Sequence, residues 1–212
     1  MSRLRLFLAD DHPIFRDGLR AILQRSPGIE VVGEAGDGHE ALREIERTRP
    51  DVVVMDIAMP NLNGVEVTRR LRKLVPRTRV LVLSMYDDAD FVQQILDAGA
   101  SGYVLKGSAS SELLQALAVI QKGGIYLAAR FEGHVATGRT ARRGASSELL
   151  TSRERETLQL LAEGNSQAQA AARLHISPKT VETHRRHIAA KLGIRDLAGL
   201  VKYAVRTRLV TI

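Results

Sequence analysis

The sequence predicts a doubly wound α/β domain, built on a five-stranded parallel sheet in the order 2-1-3-4-5, followed by a separate all-α domain. Three observations predict it. Short β-rich apolar runs alternate with segments of helical period over residues 1–125, the stretch Leu127–Ser147 loses both patterns, and helical signals alone return from Thr151 onward. A length of 212 residues suits one large domain or two small ones. The change of pattern decides for two: residues 1–125, a linker at 126–147, and residues 148–212.

The strand candidates are Leu4–Ala9, Val31–Val32, Val52–Met55, Val80–Leu83 and Gly102–Leu105. Between and after them run amphipathic stretches, Pro13–Gln24, Glu40–Arg47, Gly64–Leu74, Ala89–Ala98 and Glu112–Lys122, with apolar residues three and four apart, as in Leu19, Ile22 and Leu23. A (βα)₅ series implies parallel strands, because each return crossing needs a helix, and right-handed crossings then place helices on both faces. The third strand, Val-Val-Val-Met, is apolar throughout, as expected where both faces are covered. The linker holds Gly133, Gly138, Gly144 and four arginines. Beyond it, Thr151 and Glu154 have capping-box spacing before Leu158, Leu160 and Leu161. A second helix spans Ser166–Leu174, a third starts at Pro178 behind the cap Ser177 and stops at Gly193, and a fourth covers Asp196–Arg206.

Composition narrows the function classes. An apolar share of 44% supports real cores, yet no apolar run approaches the ~20 residues of a membrane span. The start, Met1 to Ala9, lacks the pattern of a secretory signal, so a cytoplasmic, membrane-free protein is expected. The absence of cysteine excludes disulfides, thiolate metal sites and cysteine nucleophiles. The net charge of +7 is unevenly spread, at −1 over residues 1–125, +3 over the linker and +5 over residues 148–212. A basic surplus confined to one small segment points to a polyanion, nucleic acid foremost.

In a doubly wound sheet the carboxyl ends of the strands converge on one crevice. Here the first strand ends in Asp10 and Asp11, the third in Asp56, the fourth in Ser84 and the fifth in Lys106. Three carboxylates brought together need a compensating cation, and an all-oxygen set suits Mg²⁺, with the Met59 carbonyl as a backbone ligand beside Asp10, Asp11 and Asp56. A carboxylate in such a site can act as nucleophile toward a phosphoryl group, and Asp56 is the candidate. Lys106 and Ser84 would stabilise the phosphoryl oxygens. Taken singly, each residue has a plainer reading: Asp10 and Asp11 as a helix cap, Asp56 as a turn residue, Lys106 as a solvated charge. Coincidence at four of five strand ends argues against all of them together.

The spacing of Asp10-Asp11, Asp56, Met59-Pro60, Gly64, Ser84 and Lys106 resembles the receiver domain of bacterial response regulators over residues 4–123. The resemblance implies a flavodoxin-like sheet and Mg²⁺-dependent transfer of a phosphoryl group to Asp56 from a phosphohistidine on a sensor histidine kinase. It also implies a switch in which Ser84 turns toward the phosphoryl group and Tyr103 changes rotamer; read alone, Tyr103 at the start of an edge strand is ordinary packing. Gly107 stands where many receivers carry proline. A haloacid-dehalogenase-type phosphatase also uses an aspartate nucleophile on a related sheet, but needs a second acid two residues later, and that position is Ala58.

In the C-terminal segment, Ser166–Leu174 and Pro178–Leu192 have the lengths and spacing of a helix-turn-helix. Val181, Ile188 and Leu192 should pack inward, leaving Lys179, Glu182, Thr183, Arg186 and Ala190 outward. Arg186 suits guanine, Glu182 cytosine, and Thr183 offers a methyl or hydroxyl, while Lys179, Thr180, His184, Arg185 and Lys191 suit phosphates. A small bundle that binds protein is the competing reading. However, Leu150-Thr151, Arg153–Glu156, Glu163-Gly164, Ile176–His184 and Lys191–Gly193 resemble the NarL/LuxR-type DNA-binding domain over residues 149–209, departing from it at Ala168, Gln169 and Ala170. Together the halves look like the NarL/FixJ class of response regulators. That resemblance implies binding to double-stranded DNA as a homodimer once phosphorylated. The alternatives are a regulator independent of phosphorylation or a protein-interaction output module. Leu197, Leu200, Val201 and Ala204 in the last helix fit either a dimer face or a core.

Overall fold

The computed structural model describes residues 3–108, 110–128, 131 and 149–210. Six parallel strands, β1 (Leu4–Ala9), β2 (Ile29–Ala35), β3 (Val52–Asp56), β4 (Arg79–Ser84), β5 (Gly102–Leu105) and β6 (Tyr126–Leu127), form one sheet in the order β2-β1-β3-β4-β5-β6. Helices α1 (Pro13–Gln24), α2 (Gly38–Thr48), α3 (Gly64–Leu74), α4 (Ala89–Ala98) and α5 (Ser110–Gln121) follow the first five strands in turn.

Period-two alternation divides the core between two faces. Leu6, Leu8, Val52, Val54, Leu81 and Leu83 pack with Leu19 and Leu23 of α1 and Leu113, Leu117 and Ile120 of α5. Their neighbours in the strands pack with α2, α3 and α4, as Phe7, Val53, Met55 and Val82 do against Ile45, Leu71 and Ile95. Covering both faces sends the functional groups to the strand ends. α3 begins hard against β3: Asn63 caps it by accepting from the Glu66 N–H at 2.9 Å, and a Cβ on Gly64 would collide with the Asp56 carbonyl oxygen. Gly64→Ala should therefore cost about 3 kcal/mol, read as a lowered urea midpoint.

The C-terminal domain consists of α6 (Ser152–Ala162), α7 (Gln167–Leu174), α8 (Pro178–Leu192) and α9 (Leu197–Arg206). Capping boxes open α6 (Thr151 with Glu154) and α7 (Ser166 with Gln169), and Ser177 caps α8 with proline in its first turn. Gln169, one of the departures from the family pattern, thus has a structural role. Val181 and Ile188 are fully buried and Leu192 packs against the core, as their spacing predicts. Leu200 and Ala204 belong to that core, whereas Leu197 is exposed.

One element differs from expectation. Tyr126–Leu127, assigned by sequence to the linker, pairs with Gly102 and Tyr103 as β6, so β5 is not the edge strand. A two-residue strand is too short to show alternation. The rest of the expected linker, 129–130 and 132–147, lies outside the described residues. Among the described residues, no helix is long and apolar enough to cross a membrane.

Candidate functional site

The loop ends of β1, β3, β4 and β5 bring Asp10, Asp11, Asp56, Ser84 and Lys106 together, as the strand-end argument requires. Asp10 and Asp56 are 2% and 3% exposed. Lys106 Nζ lies 2.7 Å from Asp56 Oδ2 and 2.8 Å from Asp10 Oδ2. Burial raises the Asp56 carboxyl above its usual range; Lys106 opposes the shift and Asp10 adds to it. Burial also works against the Lys106 charge, but the two carboxylates outweigh it and hold the ammonium above its ordinary value. Lys106→Met would leave two buried carboxylates facing one another and should destabilise the fold by about 3 kcal/mol near neutrality. A carboxyl whose folded-state pKa is raised loses stability as pH rises through the carboxylate range. The deficit should therefore shrink toward acid pH, as urea unfolding at two pH values would show.

The donor set suits a hard divalent cation. Oxygens of Asp10, Asp11 and Asp56 and a nitrogen of His12 lie within 4.8 Å of one another. Asp10 Oδ2 and Asp11 Oδ1 are buried without a hydrogen bond, having only ion-pair neighbours in Lys106 and in His12 Nδ1, both at 2.8 Å. His12 was not singled out by sequence, where the cap ahead of Pro13 was read from Asp10 and Asp11 alone. Met59 lines the same crevice, which has a volume of about 790 Å³.

Ser84 is buried, and its hydroxyl oxygen accepts from the Tyr86 N–H at 3.1 Å. Tyr103 is fully buried; its hydroxyl donates to the Tyr86 carbonyl at 2.6 Å, and its ring meets Phe131 edge-on at 5.7 Å. Burial pushes the phenol up to about 12. Ser84, Tyr86 and Tyr103 thus form one connected group leading away from Asp56.

The crevice is roofed by the C-terminal domain, with Gln159, Glu163, Arg173 and Leu209 on its far wall. The domains meet through buried charge. Glu66 Oε2 accepts from Arg155 Nε at 2.9 Å, and Glu66 also bonds the Ser152 hydroxyl; Glu156 pairs with Arg70 at 2.6 Å. Arg208 reaches Asp88 at 2.9 Å and lies over the rings of Tyr86 and Phe91, at 4.4 and 4.6 Å. It therefore touches the group that carries Tyr103. Arg155, Glu156 and Glu163 fall within the motifs that carry the LuxR-type resemblance, but no residue at this interface carries a signal of its partner in the other domain, since each reads as a solvated charge or amide until the two domains are placed together.

Docking leaves α8 accessible. Lys179, Glu182, Arg186 and Ala190 are exposed, and Thr180, Thr183, His184 and Arg185 are partly so. Thr183 donates its hydroxyl to the Lys179 carbonyl at 3.0 Å. Lys191 is exposed, but its ammonium is paired with Glu154 at 2.6 Å, so a DNA phosphate would compete with that carboxylate.

Comparison with known proteins agrees with this geometry. Residues 6–118 match the response regulator receiver domain model, and residues 148–204 match the model of bacterial regulatory proteins of the luxR family. A probable transcriptional regulatory protein NarL of Mycobacterium tuberculosis is 38% identical over 208 residues, spanning 98% of this chain and 96% of that protein. The transcriptional regulatory protein DegU of Brevibacillus brevis is 36% identical, with 97% and 94% covered. Among solved structures, RcsB of Salmonella enterica serovar Typhimurium, bound to promoter rprA in the presence of the phosphomimetic BeF3−, is 27% identical with a TM-score of 0.62, covering 95% of this chain and 98% of that one. Strand-end acids, a C-terminal helix-turn-helix and matches over both halves lead to one conclusion: the chain belongs to the NarL/FixJ class of two-component response regulators, with a receiver domain joined to a LuxR-type DNA-binding domain.

Proposed function

We propose that Asp56 is the phosphoacceptor, that Asp10, Asp11, Asp56 and the Met59 carbonyl hold Mg²⁺, and that α8 reads double-stranded DNA. The domain limits proposed are 1–125, with β6 as an appendage, and 148–212. The observation that carries the reading is Lys106 bridging Asp10 and Asp56 in a buried acidic crevice. An Asp56 carboxylate oxygen attacks the phosphorus of a sensor kinase's phosphohistidine; the P–O bond forms as the P–N bond breaks and the imidazole leaves. Lys106 and the Ser84 hydroxyl hold two phosphoryl oxygens. A bound Mg²⁺ would neutralise charge spread over the transferring oxygens. Chemistry ends with the protein's own phosphorylation and its loss, since Ala58 offers no acid for turnover. The test is incubation with Mg²⁺ and a small phosphodonor, followed by peptide mapping: one phosphoryl group per chain on the Asp56 peptide is expected, and any other location rejects the assignment.

On the DNA side, the exposed face of α8 presents Arg186, Glu182 and Thr183 to base edges, flanked by Lys179, Thr180, His184, Arg185 and Lys191 for phosphates. Arg186→Ala should cost about 1–3 kcal/mol of binding to a selected operator and relax its sequence preference, whereas Lys179→Ala should weaken binding to all sequences alike. Fluorescence anisotropy at two salt concentrations separates the two. Phosphorylation-dependent homodimerisation on two half-sites belongs to the same reading, as does a cytoplasmic location shared with DNA and the kinase.

A further inference from the structure

Docking uses one side of α6. Toward the receiver, Ser152 and Arg155 meet Glu66, Glu156 meets Arg70 at 2.6 Å, and Gln159 accepts from the Asn63 N–H at 2.9 Å. Glu163, at the end of the helix, accepts from the Asn61 N–H at 3.1 Å. Arg173, in the last turn of α7, bonds the Asn61 side chain, and Arg208, beyond α9, reaches Asp88. The polar side-chain contacts described for α8 stay within the C-terminal domain: Thr180 with Ser177, Thr183 with the Lys179 carbonyl, and Lys191 with Glu154.

The opposite side of α6 carries α8. Glu154 pairs with Lys191 at 2.6 Å, Leu158 is buried in one cluster with Ile188, and Leu161 is buried in another with Val181. At 3.6 residues per turn, residues 152, 155, 156 and 159 centre on a line roughly 140° around the helix from residues 154, 158 and 161. With its side chains α6 is a cylinder about 10 Å across, and it stands between the receiver and the reading helix. Lys179, Glu182 and Arg186 lie on the face of α8 opposite Val181 and Ile188, and they are exposed in the docked protein. The bases spent on docking, Arg155, Arg173 and Arg208, are none of them in α8. Docking therefore covers the phosphoacceptor crevice and leaves the DNA face open.

We propose that the docked, unphosphorylated chain binds a DNA half-site as it stands, without releasing its receiver. The inference rests on the assignment of α8 as the DNA-reading helix. A dock that covered α8 would weaken the apparent affinity in proportion to the undocked fraction, because only undocked chains could bind. With α6 interposed, the two equilibria are independent, so DNA binding neither needs undocking nor promotes it. Phosphorylation then governs the pairing of chains on two half-sites, and access to the first half-site is always open.

The test is fluorescence anisotropy with a short labelled DNA duplex selected from a random pool by the unphosphorylated full-length protein. Four samples are compared: wild type, Glu66→Ala, Arg186→Ala, and Asp88→Cys with Arg208→Cys closed by a short bis-maleimide. Glu66→Ala removes the acceptor of Arg155 and Ser152 and opens the dock, whereas the bridge keeps it shut; the chain has no cysteine of its own to compete for the reagent. Small-angle scattering confirms which samples are open. The open and bridged proteins are expected to bind within about twofold of wild type, with the same salt dependence, because the same phosphates are neutralised. Binding about tenfold tighter in Glu66→Ala, or about tenfold weaker in the bridged protein, would overturn the proposal. Either result suffices alone, so one arm serves if the other variant folds poorly. If Arg186→Ala binds as well as wild type, or no duplex is bound by any sample, α8 is not the DNA helix, and that reading falls together with the inference.

Discussion

Asp56→Asn is expected to abolish phosphate uptake while leaving the fold at least as stable. The amide oxygen is a poor nucleophile, and no other carboxylate is placed to replace it: Asp10 is pinned by the same Lys106 ammonium and by the His12 N–H, which donates to its Oδ1 at 2.8 Å. Stability should hold because the pocket carries surplus negative charge, and burial already holds the Asp56 carboxyl above its normal range. Neutralising that side chain relieves its repulsion with Asp10. Radiolabel or mass-shift incorporation, measured beside urea unfolding, distinguishes loss of chemistry from loss of structure. Incorporation at the wild-type level would remove Asp56 from its role.

Glu66→Ala is expected to undo the docking of the two domains. Glu66 is 2% exposed and meets four groups: Arg155 and Ser152 from α6, and Arg69 and Arg70 from its own helix at 3.5 Å. Removing the carboxylate leaves the guanidinium groups of Arg69, Arg70 and Arg155 crowded at a partly buried interface. Truncating one member of such a pair typically costs about 3 kcal/mol, or roughly 150-fold in the docking equilibrium. The radius of gyration of Glu66→Ala should exceed that of wild type, with each domain's own unfolding signal little changed. A wild-type scattering profile would show that the charged contacts do not hold the domains together.

The receiver sheet and the acidic crevice were legible because the first five strands announce themselves by short apolar runs between helical segments, and the acids, the serine and the lysine of the crevice sit at strand ends, a place set by topology. Val52–Asp56 shows both signals in five residues. The helix-turn-helix was legible through its caps, Ser166 and Ser177, and through the burial period of Val181 and Ile188. β6 was not, because Tyr126–Leu127 is too short for any periodicity. The far wall of the crevice was not legible either. Gln159 meets Met59 across 100 positions, and Arg208 meets Asp88 across 120; a polar side chain carries no mark of a partner that only tertiary placement supplies.

The strap formed by β6 and Phe131 moves the tether's origin. Phe131 lies against the Tyr103 ring, its N–H donating to the Ala128 carbonyl at 2.8 Å, so the last described residue before the C-terminal domain sits on the aromatic to which the family resemblance gives the switching role. From there to Leu149, covalent geometry allows a span of at most roughly 60 Å. Any tilt of the Tyr103 ring would therefore be felt at Phe131.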